Sequence, residues 1–136
     1  MRATRFAFTL AVMCVALSAA YSAQQARDTR AEVALQAAIK IETIDGDLKA
    51  AIAAYSKVVA TYSSNRSAAA QALVRMGQCY EKLGATQVQD ARNSYERVLR
   101  DYGDQAAETT AARARLAALL EARPAGLAVR KIMSVA

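Results

Sequence analysis

The chain has 136 residues, with 18 Lys and Arg against 12 Asp and Glu, a formal charge of +6, two cysteines and no histidine. The missing histidine removes the usual general base and the commonest metal ligand. No nucleophile elbow, phosphate loop or metal-spaced cluster stands in its place, so neither an enzyme nor a cofactor or metal site is expected.

The chain opens with Arg2 and Arg5 ahead of an apolar run over 6–20, followed by small residues. That three-part layout predicts a secretory signal peptide over 1–23, with Ser18-Ala19-Ala20 and Ala20-Tyr21-Ser22 both fitting a cleavage site. A spanning helix needs about 18 or more apolar residues, so no membrane span is expected after cleavage, and a retained anchor is the alternative. Cys14 lies inside the run and leaves with it. Cys79 then has no partner for an intrachain disulfide, and its place in a helical apolar pattern makes it a core thiol.

The basic excess is not evenly spread. Arg2 and Arg5 fall in the signal, and Arg123, Arg130 and Lys131 in the tail. Thirteen basic residues then face twelve acidic ones between Arg27 and Glu121, with signs interleaved. A nucleic-acid binder shows a basic stripe with aromatic residues between the charges, and none is present.

The body, 24–122, reads as helices. A polar, frayed lead-in over 24–29 precedes helix one, 30–44, with Val33, Ala34, Ala37, Ala38 and Ile41 on one face. Ile44-Asp45-Gly46-Asp47-Leu48 is a turn in which Asp47 caps helix two, 48–62. Asp45-Gly46-Asp47 lacks the further oxygen ligands and distal glutamate of a calcium loop. Asn65 caps helix three, 66–83, on which Leu73, Met76, Gly77, Tyr80 and Leu83 share a face. Gly84 follows at a left-handed cap. Thr86-x-x-Gln89 has the form of a capping box for helix four, which runs to 102. Asp104 caps helix five, 105–122, and Pro124 ends it. Residues 123–136 are basic, apolar and without helical pattern: a flexible tail, or the start of a further domain.

Ala91, Tyr95, Val98, Leu99 and Tyr102 stand forty residues after Ala51, Tyr55, Val58, Val59 and Tyr62. Ala72, Arg75 and Met76 recur as Ala112, Arg115 and Leu116. One hairpin cannot bury its own apolar stripe, so a fixed offset of this kind predicts a stack of equivalent units. In each unit the small residue, Ala51 or Ala91, admits the paired helix, and the ring of Tyr55 or Tyr95 fills the space between.

Leu73-x2-Met76-Gly77-x2-Tyr80, then Ala91-x3-Tyr95, resembles the tetratricopeptide-repeat (TPR) signature W-x2-L-G-x2-Y, A-x3-F, P, and Ala51-x3-Tyr55 resembles its second half again. Leu73 takes the tryptophan slot, Gly103 and Ser63 the proline slot. The offset exceeds the family's usual period of about 34, which lengthens the turns near 85–89 and 63–66. The phrasing of 76–84 and 95–102 is similar to repeats of bacterial outer-membrane assembly lipoproteins and periplasmic cell-division coordinators.

The resemblance implies an all-α fold of antiparallel helical hairpins stacked as a short TPR-like solenoid of about five helices. It implies an exported module, periplasmic, secreted or at the outer membrane, that mediates protein–protein interaction or scaffolding. The partner is a protein or peptide, a second copy included. In that family the first helices of the hairpins form the peptide-holding surface. On the matching faces here it presents Gln36, Lys40, Gln71, Val74, Gln78 and Glu81. The alternative is a structural spacer or dimerisation module at the N-terminus of a larger exported protein, such as a Tol-type β-propeller protein.

Overall fold

The computed structural model describes residues 2–122, with side chains from residue 21 on. The tail expected over 123–136 lies outside the described residues, as do most side chains of the expected signal segment. The described chain is all-helical, with no strand. Its helices are α1 (Arg2–Lys40), α2 (Leu48–Thr61), α3 (Arg66–Leu83), α4 (Val88–Asp101) and α5 (Ala106–Glu121). A π turn, Ile41–Asp45, follows α1, and a 3-10 turn, Ala85–Gln87, precedes α4.

Two local signals hold and a third holds in part. Asp47 accepts the Ala50 amide at 2.9 Å and Asn65 the Ala68 amide at 3.0 Å, so α2 and α3 begin with one otherwise unpaired amide satisfied. Gly84 ends α3 at a φ of 109°, which glycine alone adopts without strain. Its ψ of −173° places it outside the left-handed helical region expected for it. That region is occupied instead by Gly46, φ 68° and ψ 9°, where the π turn ends.

Other local expectations are corrected. The lead-in over 24–29 is helical, since α1 is continuous through it, and Asp28 accepts from Asn65 Nδ2 at 3.2 Å. The buried stripe of α1 is Ala31, Leu35 and Ala38, continued by Glu42; Val33 is 65% exposed and Ala37 is exposed. Of the expected face, Ala38 is buried and Ala34 and Ile41 pack against the core, so the error is confined to Val33 and Ala37; alanine-rich helices give little contrast between faces. The capping box does not form: the 3-10 turn takes Thr86 into its own backbone, and Gln87 precedes α4 with no side-chain cap. Asp104 does not cap α5, because its carboxylate is held by Arg66 and Gln105.

Each helix packs on the next, and α3 also touches α1 and α5. The connections between packed helices are short, so the chain turns back at each one. At the centre, α3 buries residues on more than one side, from Ala68 to Cys79. Nine of the nineteen described core positions are alanines, which let backbones approach closely. The largest fully buried side chains are Tyr55 and Tyr95. As expected, each follows a buried alanine, Ala51 or Ala91, by one turn.

Gly77 explains the seat of Tyr95. A Cβ there would lie 2.6 Å from two carbons of the Tyr95 ring. The ring therefore lies on the bare backbone of α3, a contact that any side chain at 77 would displace.

Candidate functional site

The two tyrosines organise matching polar ties. Tyr55 Oη donates to Glu42 Oε2 at 2.6 Å. Glu42 also receives Lys82 Nζ at 2.8 Å and Arg75 Nη1 at 3.3 Å, with its side chain only 4% exposed. Tyr95 Oη donates to Glu81, which also faces Arg115 Nη1 at 3.5 Å. In each tie a glutamate at the end of one helix holds the tyrosine of the following helix. An arginine of the helix after that then reaches back to the same carboxylate. Tyr55 and Tyr95, and Arg75 and Arg115, are forty residues apart; the glutamates are thirty-nine apart.

Electrostatics follow from this geometry. Burial pushes the Glu42 carboxyl up, but hydrogen bonds from Lys82, Tyr55 and Arg75 outweigh it and hold it below the ordinary glutamate value. Tyr55 and Tyr95 are raised, first by burial and then by donating to Glu42 and Glu81. Cys79, fully buried between the two ties, is pushed up to about 11 by burial and by the Glu42 charge. A thiol so held is a poor nucleophile and packs as the core residue the sequence implies.

A further polar corner joins α3 to the α4–α5 connection. Arg66 Nη2 donates to the Asp101 carbonyl at 2.8 Å and Nε to Asp104 at 2.8 Å, and its guanidinium lies 5.2 Å from the centre of the Tyr102 ring. Arg66 and Gln105 hold the Asp104 carboxyl well below the usual range. Both partners are about half exposed, so this corner orients the chain more than it stabilises it.

Between α3 and α5 lies a groove of about 210 Å³ lined by Gln71, Val74, Arg75, Gln78, Glu108 and Ala111. It brings together three of the six residues expected to face a partner. Gln71 and Gln78 are half-buried at its side, and Val74, only 7% exposed, forms its floor. Val74 is thus more a packing residue than the surface residue expected. Glu81 turns away to Tyr95 and Arg115. Gln36 and Lys40 are exposed on α1 and do not line the groove. Arg75, Glu108 and Ala111 were not expected there. Arg75 lies one turn from both Gln71 and Gln78, so helical spacing alone places it on their face. Glu108 and Ala111 need the packing of α5 on α3.

Two wider features bear on function. Among the described residues, no helix is long and apolar enough to cross a membrane, and no three metal-ligating side chains come together. No family model, curated protein or solved structure matches the chain.

Proposed function

We propose that this chain is a TPR-like module of stacked helical hairpins that binds a protein or peptide in the bacterial cell envelope. The observation that supports the reading is the duplicated tie, Tyr55–Glu42–Arg75 and Tyr95–Glu81–Arg115, each of which joins three successive helical segments through one carboxylate. Units tied in this way present their first helices side by side. The groove between α3 and α5 is the surface such a stack offers. Its lining is mixed: side-chain amides from Gln71 and Gln78, one cation, one carboxylate and an apolar floor. That set suits an extended polypeptide, whose backbone needs both donors and acceptors. The Arg2/Arg5 leader and the apolar run after it support export to the periplasm or the outer membrane.

A photo-crosslinking residue in place of Gln78, in the groove, is expected to give a discrete adduct with a protein of the exported fraction. The same residue in place of Glu96, exposed on α4, is expected to give none. Mass spectrometry of the adducts reads the result. No adduct at Gln78, or the same adducts from both positions, would leave the spacer reading in its place.

A further inference from the structure

The groove between α3 and α5 holds two charges in different states. Arg75 lies 3.3 Å from Glu42, a carboxylate with a side chain only 4% exposed that its donors keep ionised. Glu108, half-buried on the α5 side, makes no ion pair and no side-chain hydrogen bond among the described residues. The cations of the facing helix are all committed: Arg66 to Asp104, Arg75 and Lys82 to Glu42. Arg115, two turns further along α5, is taken by Glu81. The fold therefore matches the groove's cation and leaves its carboxylate unmatched. The first turn of α5 suits a negative charge, so Glu108 stays charged there without a partner.

We propose, on the reading that this groove holds a polypeptide, that the bound segment presents a lysine or arginine to Glu108, so that the groove selects basic over acidic segments. The rest of the lining suits such an occupant. Gln71 and Gln78 stand two turns apart on α3, about 10.5 Å, which is the span of about three residues of extended chain. Their amides can both donate to and accept from its backbone. Val74 and Ala111 supply apolar surface between them. An acidic segment would set a second carboxylate beside Glu108 with no uncommitted cation on α3, and like charges so placed cost affinity.

The probes are three pools of short labelled peptides with blocked ends, uncharged except at one central position fixed as lysine, alanine or glutamate. They are added to the full chain, unmodified to read affinity and with a photo-crosslinking residue in place of Gln78 to read location. Lysine-centred peptides are expected to bind about fivefold more tightly than alanine-centred ones, the upper end for a partly screened ion pair. Glutamate-centred peptides should bind least. Glu108→Gln, which keeps the size of the side chain, should bring the lysine and alanine pools together. Glu108→Lys should put the glutamate pool first. Far-ultraviolet dichroism and the denaturation midpoint check that both variants are folded. Adducts at Gln78 in equal yield from all three pools would leave the groove a peptide site and overturn the basic preference. A lysine preference that survives in Glu108→Gln would overturn it too. No adduct from any pool would overturn the peptide-binding reading and the basic preference together. An adduct from Gln78 to residues 123–136 of the same chain, undisplaced by lysine-centred peptides, would also overturn both.

Discussion

Tyr95→Ala is expected to lower the unfolding free energy by about 3–5 kcal/mol, the cost of removing a fully buried aromatic ring and leaving its cavity. The ring is wholly buried, rests on Gly77 and is anchored through its hydroxyl to Glu81. A domain of this size has only about 5–15 kcal/mol in total, so the midpoint of chemical denaturation should fall sharply. Tyr55→Ala should do the same, because Tyr55 is equally buried and equally tied. A loss below about 1 kcal/mol, the scale of an ordinary surface substitution or little more, would show that the ring is not a core element.

Glu42→Ala is expected to cost about 2–3 kcal/mol at neutral pH. It leaves the Tyr55 hydroxyl buried without an acceptor, a penalty of about 1–3 kcal/mol, and removes the bonds from Lys82 and Arg75. The effect should depend on pH with a definite sign. The folded-state pKa of Glu42 is depressed, so its contribution is fully present above the unfolded-state value, about 4.3, and is lost as pH falls through the folded value. The gap between wild type and Glu42→Ala should therefore begin to narrow as pH falls below about 4.3 and go on narrowing through the depressed folded value. A difference that stays constant from neutral to strongly acidic pH would mean that the carboxylate is not held by its three donors.

What the sequence could show depended on the range of the interaction. Asp47 and Asn65 satisfy amides three residues on, so their caps were legible from local spacing. The burial of Tyr95, Tyr55 and Cys79 was legible from periodicity and the recurrence at forty residues. Asp104 resembled a cap as well, but an arginine 38 residues away takes its carboxylate. The ties at Glu42 and Glu81 were hidden for the same reason. Each glutamate lies 13 or 14 residues from its tyrosine, across a turn, and 33 or 34 from its arginine. In the sequence both are ordinary charged residues near helix ends. Of the expected binding surface, Gln71 and Gln78 share the groove, whereas Glu81 looked exposed only because its packed partner was out of view. On α1, Ala34, Ala38 and Ile41 were placed on the core side, but Val33 and Ala37 were misplaced because alanine is found on buried and exposed sides alike.

One tie, used twice, joins successive helices through a single carboxylate. Two double-mutant cycles measure it most directly: Tyr55→Phe with Glu42→Ala, and Tyr95→Phe with Glu81→Ala. Each cycle cancels the cations' separate losses and leaves the tyrosine–glutamate coupling. Coupling of about 1 kcal/mol or more is predicted in both, within the range for directly bonded residues. Coupling within about 0.3–0.5 kcal/mol of zero, as for independent sites, in either cycle would contradict the account.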